Sequence, residues 1–362
     1  MPVRVIGMIG VAPPGGAASV HVIKGGISAD YLRDFARAHE DADFDLVLVG
    51  YTASSAEGFL VAQYAAQHTT RLGYLIAHRP GFVAPTLAAR KIATFDHLTG
   101  GRLALHIISG ASDAEQEGDG DFQPKEVRYR RAGEYIEVMK RAWSSAKRFD
   151  FDGEFYHVRG AQSDVRPLQQ PHPPLFFGGS SEAALAMGAQ HCDVFAMFGE
   201  PLAPTRQRMA EFRARAAAYG RTPTYNMSFR PILAPTEGAA WDKAKHILAA
   251  VQGQKNPTGL NPTNKPLDQS ARRLLGFAAE GEVHDARLWM PIAEATGAVG
   301  NTSCLVGTAE QVADAMLEYY RLGLHSFLIR GFDPFNDTVE FGRELIPRLR
   351  EGAAALDRAA AA

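Results

Sequence analysis

The chain reads as an α/β protein of the (β/α)8 barrel class, and three observations carry that reading. Short apolar runs alternate with helix-period segments until eight strands and their helices are counted along the 362 residues. The stretch 71–110, RLGYLIAHRPGFVAPTLAARKIATFDHLTGGRLALHIISG, contains a strand, a crossover helix and a second buried strand, the unit of a parallel sheet. No G-x-G-x-x-G follows the first apolar run, which separates the pattern from a doubly wound dinucleotide fold.

Taken in order, Val3–Val11 is the first strand, ending in the loop Ala12-Pro13-Pro14-Gly15-Gly16. Ser28 caps a helix through Ala42 with Tyr31, Leu32, Phe35 and Ala36 on one face. Phe44–Val49 is strand two, and Ser54 or Ser55 caps a helix over Ala56–Thr69. Arg71–Ala77 is strand three, and Pro85–His97 carries Leu87, Ala88, Ile92 and Phe95 at helical spacing. Thr99-Gly100-Gly101 stops that helix before strand four, Leu103–Ile108.

A long polar loop follows, then a helix from about Glu126 to Ala146 and a hairpin over Phe149–Val158 turning at Asp152-Gly153. Leu175-Phe176-Phe177 is strand five and Cys192–Phe198 strand six. Pro204–Tyr219 is a helix with Arg and Glu on its exposed side. Asn226–Leu233 is strand seven and Ala239–Val251 its helix. The pattern fails over about 253–302, where the Gly- and Pro-rich QGQKNPTGLNPTNKP gives way to one or two short helices mixed with loop, an insertion read as mobile. Val312–Leu322 (helix), Ser326–Ile329 (strand eight) and Val339–Leu349 (closing helix) complete one domain over 1–350, and the Ala-rich tail 351–362 is expected to fray.

Composition narrows the function. A formal net charge of -2 gives no footprint for nucleic acid or an acidic membrane surface. Two cysteines, Cys192 and Cys304, are too few for a disulfide framework or a four-thiolate metal site. There is no signal-peptide pattern at the N-terminus and no apolar run of membrane-crossing length, so a cytoplasmic protein is expected. No HExxH, P-loop, GxSxG or metal-spaced Cys/His cluster is present, which favours an organic cofactor over a metal or a catalytic triad.

Parallel barrels place ligands at the C-terminal ends of their strands, so polar residues there are the candidates. Gly178-Gly179-Ser180-Ser181 opens a helix and offers backbone N–H groups and two hydroxyls to an anion such as phosphate. The same four residues also suit a plain turn with a serine N-cap. Arg128 and Tyr129 open the helix after the long loop and are placed to reach the same anion, while Arg130 and Arg131 read as a solvated face. His106 and Ser109 sit at the end of strand four, where a histidine is either a site group or a satisfied core residue. Strand three ends in His78 and Arg79, read as a site histidine and as either a site cation or a salt bridge. Arg230 interrupts strand seven and Arg330 ends strand eight. Each needs an anion, either a substrate or a structural partner such as Asp333 or Glu200. Arg272, Arg273 and Arg287 lie in the insertion, which reads either as a lid or as ordinary charged surface.

The central stretch, VRYRRAGEYIEVMKRAW, QQPHPPLFFGGSSEAA, FGEP at 198–201 and the C-terminal LVGTAEQVADAM…YRLGLHSFLIRGFDPFNDTVEFGREL together resemble the bacterial luciferase-like flavin monooxygenases, most closely the alkanesulfonate branch. The resemblance implies reduced FMN, supplied by a separate NAD(P)H-dependent flavin reductase, and O2 as co-substrate. By position it implies Gly179, Ser180, Ser181 and Tyr129 at the FMN phosphate. It implies His106 and Ser109 beside the ring and ribityl chain, and a cis peptide at Ala77–His78 beneath the ring. His78, Arg230 and Arg330 become catalytic candidates. Ser55, Phe198, Ser228, Arg230 and Phe332 become substrate candidates, with the insertion contributing near Ala298. The resemblance implies an alkanesulfonate or a related organosulfur compound as substrate, although these residues differ from the family's sulfonate-binding set. Hydride transfer with the deazaflavin F420, or flavin binding without catalysis, are the alternatives. A homodimer or homotetramer is expected from the family.

Overall fold

The computed structural model describes residues 2–14, 18–20, 26–110, 112–254, 268–300 and 302–361. Gly15 and Gly16 of the first loop and residues 255–267 of the insertion lie outside them. The N-terminal half alternates β1 (Arg4–Ile9), α1 (Ala29–Asp41), β2 (Leu46–Val49), α2 (Gly58–Ala66), β3 (Gly73–His78), α3 (Pro85–Leu98) and β4 (Leu103–Ile107). A six-residue helix, α4 (Asp113–Gly118), sits inside the long polar loop, followed by α5 (Lys125–Ser144) and the antiparallel hairpin β5 (Phe149–Asp152) and β6 (His157–Ala161). Then come β7 (Leu175–Gly178), α6 (Glu182–His191), β8 (Val194–Phe198), α7 (Leu202–Ala217), β9 (Thr224–Leu233) and α8 (Glu237–Gln252). The chain closes with α9 (Gln269–Glu280), β10 (Val283–His284), β11 (Leu288–Trp289), α10 (Pro291–Thr296), β12 (Cys304–Gly307), α11 (Ala309–Arg321), β13 (Ser326–Ile329), α12 (Pro334–Glu340), a π-helical turn over Phe341–Leu345, and α13 (Ile346–Ala361).

Eight parallel strands close on themselves in the order β1, β2, β3, β4, β7, β8, β9, β13, with β13 paired back to β1. These are the eight strands read from the sequence. Alternation along each strand sorts side chains between two cores. Ile6, Leu75, Ala104, Phe176, Val194 and Leu328 fill the barrel. Their neighbours in sequence, such as Val5, Tyr74, Ile76, Leu105, Phe177 and Phe195, pack outward under the helices.

Within the insertion, the described residues 268–300 form α9, α10 and the short strands β10 and β11. β9 is ten residues long: its first half pairs within the barrel and Arg230–Leu233 pairs with β12. β12 carries β11 and β10 antiparallel beside it, so β9 leaves the barrel and seeds a side sheet. The Ala-rich tail is helical through Ala361, because Ile346, Leu349 and Ala353 form a buried stripe on α13. Among the described residues no helix is long and apolar enough to cross a membrane.

Candidate functional site

The upper inner ring of the barrel follows from strand parity. Ala77 on β3 pairs in register with His106 on β4; Gly178 on β7 pairs with Ala196 on β8; Phe198 on β8 pairs with Ser228 on β9. Arg330, two residues beyond the inward Leu328, places Nη1 3.1 Å from Met8 Sδ, itself two residues beyond the inward Ile6. His106 Nε2 would lie 3.6 Å from a Cβ added to Gly178, so the imidazole sits against the first residue of the β7–α6 loop. Burial pushes His106 down to about 4, so near pH 7 it is a neutral imidazole with one donor and one acceptor.

That loop is a cradle that a side chain would fill. A Cβ on Gly179 would meet Ala184 Cβ at 2.8 Å and Tyr129 Oη at 3.3 Å, so only glycine lets the backbone come this close to the Tyr129 hydroxyl. Tyr129 reaches it from α5, and burial, with the Asp268 carboxylate next, pushes its hydroxyl up to about 12. Ser180 Oγ accepts from Arg208 Nη2 and shares a 2.9 Å hydrogen bond with Ser270 Oγ. Arg208 Nη2 also donates to Gly179 O at 3.2 Å. Ser181 caps α6 by accepting from Ala184 N at 3.3 Å, so its side chain does the structural task that the sequence left open. Hydroxyls, a guanidinium and a backbone that tolerates close approach form a donor set for an oxyanion.

Arg208 is the group the sequence reading missed. It was placed on the exposed side of its helix, yet it falls with Thr205, Met209, Phe212 and Ala216 on the buried stripe of α7. An arginine at apolar spacing was the available signal. Its Nη1 donates to Glu200 Oε1 at 2.6 Å, and Arg273 Nε on α9 donates to the other oxygen at 2.8 Å. Glu200 is only 2% exposed, and it pairs with these two arginines rather than with Arg230 or Arg330.

Several predicted site residues fall elsewhere. His78 lies on the outward parity of β3, with Nε2 2.9 Å from Tyr135 Oη and the ring edge-on to Phe59. Burial lowers it to about 4, and it faces the helix layer, away from the barrel mouth. The Ala77–His78 peptide is trans, since β3 stays regular through its pairing of His78 with Ile107; among the described residues the cis bond is Gln170–Pro171. Arg230 is fully buried, its Nη1 donating to Ser19 O (3.1 Å) and Gly331 O (2.8 Å) and its Nη2 to Val20 O (2.6 Å). Its guanidinium lies 4.5 Å from the centroid of Phe332, which is itself buried in the core beside the side sheet. Both are therefore removed from the set of substrate contacts. Ser55 closes a local turn, its Oγ accepting from Thr52 N and donating to Thr52 O. Ser109 is buried at the end of β4, and its carbonyl accepts from Arg128 Nε at 2.9 Å.

Arg79 resolves as a salt bridge, held between Glu115 and Asp119 over the ring of Tyr51. With Arg128–Asp113 and Arg131–Asp121 it pins the loop after β4 against the barrel. Both cysteines are buried and free, and burial raises each thiol to about 12.

Comparison with known proteins places this geometry. Residues 6–326 match the family described as luciferase-like monooxygenase, and the chain belongs to that family. Among solved structures, an EDTA monooxygenase from Chelativorans sp. BNC1 superposes with a TM-score of 0.77 at 18% identity, over 97% of this chain and 94% of that one. A riboflavin lyase, solved with modified FMN and substrate riboflavin, gives 0.75 at 20% identity over 97% and 92%. An F420-dependent secondary alcohol dehydrogenase, in complex with an F420-acetone adduct, gives 0.68 at 17% identity over 96% and 99%. At these identities the likeness is one of fold.

Proposed function

We propose that the protein is a monooxygenase that uses reduced FMN, delivered by a separate flavin reductase, and O2 to oxidise a small anionic organic substrate. Organosulfur compounds, alkanesulfonates included, are the class to test first. One observation carries the reading: an oxyanion cradle built from Gly179, Ser180, Tyr129 and Arg208 opens beside His106 at the mouth of the barrel. A flavin phosphate suits the hydroxyl and guanidinium donors, and the adjoining inner ring of Ala77, His106, Phe198 and Ser228 suits a planar, partly polar body.

In this arrangement the bound flavin supplies the redox chemistry, and the protein supplies position and environment. Tyr129 and Ser180 donate hydrogen bonds to phosphate oxygens, and Arg208 adds charge. His106, neutral and half-buried, would hold one proton on its ring for an acceptor on the flavin without introducing a competing cation. Arg330 is the cation inside the mouth and draws the anionic group of the substrate, whereas Arg230 supports the wall. The alternating apolar positions exclude water from the reacting atoms.

The neighbouring F420-dependent structure keeps a second reading open, hydride transfer with a deazaflavin. An anaerobic fluorescence titration with reduced FMN, oxidised FMN and F420 separates the two. Tightest binding of reduced FMN is expected, followed by O2 consumption with a reductase and substrate. Preference for F420 with turnover that consumes no O2 would replace the proposal.

A further inference from the structure

Of the two hydroxyls assigned to a phosphate, Ser180 is hydrogen-bonded by the first turn of α9, a helix of the late insertion, and Tyr129 feels the charge of that turn's Asp268. Ser270 Oγ lies 2.9 Å from Ser180 Oγ, and the Asp268 carboxylate is close enough to help raise Tyr129. Asp268 is the N-cap of α9, accepting from Ala271 N at 2.8 Å. One turn further on, Arg273 reaches Glu200, the carboxylate shared with Arg208. The charged groups around the cradle are thus Arg208, Arg273 and the more distant Arg128 against Glu200, Asp268 and Glu126, with Arg128 already held by Asp113. With Asp113 counted, three arginines stand against four carboxylates, so the set carries no net positive charge before any ligand arrives. A dianion entering there meets a resident hydroxyl on Ser180 and the charge of the Asp268 carboxylate.

We propose that the first turn of α9 is an internal occupant of the phosphate cradle, Asp268 and Ser270 standing in for phosphate oxygens, so that a phosphomonoester binds by displacing it. The inference rests on the cradle being the phosphate site. It makes cofactor binding and movement of the insertion one event: withdrawal of α9 frees Ser180 and Tyr129 and removes a like charge. A ligand lacking the phosphate has no means of displacing the turn, so the device also selects phosphorylated flavins.

The test measures dissociation constants of FMN and riboflavin for the wild type and for Asp268→Asn combined with Ser270→Ala. Asparagine keeps the N-cap, so α9 is retained. The double variant is expected to bind FMN several-fold tighter, roughly three- to tenfold for one or two lost competing contacts, with riboflavin unchanged. Unchanged or weaker FMN binding in the variant overturns the inference while leaving the cradle assignment standing. A wild type that binds FMN and riboflavin equally overturns the cradle and the inference together. Hydrogen exchange on the wild type gives an independent reading: FMN should speed exchange in the first turn of α9 and riboflavin should not, and slowing by FMN would mean that α9 clasps the phosphate.

Discussion

Two arginines near the barrel mouth, Arg208 and Arg230, are both buried, yet they differ in what takes up their hydrogen bonds. Arg230 donates to three main-chain carbonyls from two distant segments, so it staples the 18–20 segment and the β13–α12 loop to β9. Arg208 spends one arm on Glu200 and turns the other to the Gly179–Ser180 loop, where it meets a hydroxyl as well as a carbonyl. Burial of a guanidinium does not by itself mark a site. Where its donors end, on main-chain carbonyls alone or also on exchangeable side-chain groups, is what distinguishes the two.

The sharpest way to break this comparison is to remove the staple. Arg230→Leu leaves three buried carbonyls without their donor and is expected to cost about 3–5 kcal/mol of stability. The folded fraction should still bind FMN with near wild-type affinity, as read by urea unfolding and titration. A stable variant with a raised KM for an anionic substrate would instead return Arg230 to the site.

Acid titration contrasts the two histidines in the same way. Burial holds both His78 and His106 at about 4, below the unfolded value of about 6.5. The unfolded chain therefore binds more protons between those values, and stability falls as pH drops from about 6.5 to 4, by up to ~3 kcal/mol per histidine. Replacing outward His78 by Phe should blunt that loss without changing FMN affinity. Replacing His106 by Ala should weaken flavin binding as well. Unfolding midpoints across pH 4–7, with titrations at pH 7, check both.

On the cradle side, Arg208→Met keeps side-chain length, removes the charge and leaves Glu200 to Arg273. FMN affinity should drop about tenfold or more, with riboflavin little affected. The smallest effect is expected for Ser181→Ala: loss of the α6 cap costs about 1 kcal/mol of stability with little change in FMN affinity, whereas Ser180→Ala should lower that affinity. Thermal melts and titrations of the two single variants separate the cap from the cradle.

Much of this was legible in the chain itself. The eight strands and their order follow from apolar runs of strand length and helix-period segments between them, patterns that burial imposes locally. Gly179 and Ser180 stood out as candidates because glycine and hydroxyls at a strand-to-helix turn suit an anion as well as a plain capped turn, and Tyr129 because it opens the helix after the long loop. Arg208 was also within reach, since it breaks the apolar stripe of α7. Its partner Glu200 was read only as a structural partner for Arg230 or Arg330.

The rest had no local signal. His78 and His106 both end strand runs, and only closure of the barrel turned one toward the helices and the other toward the mouth. Arg230 and Arg330 looked equivalent in sequence. The extension of β9 into the side sheet enclosed Arg230 among carbonyls that include residues more than two hundred positions away, while Arg330 stayed in the mouth. The sequence determined the architecture and the donor types, because periodicity and turn chemistry act between near neighbours. The tertiary structure alone decided which donors are spent and which face a ligand, because a hydrogen bond depends on distance in space.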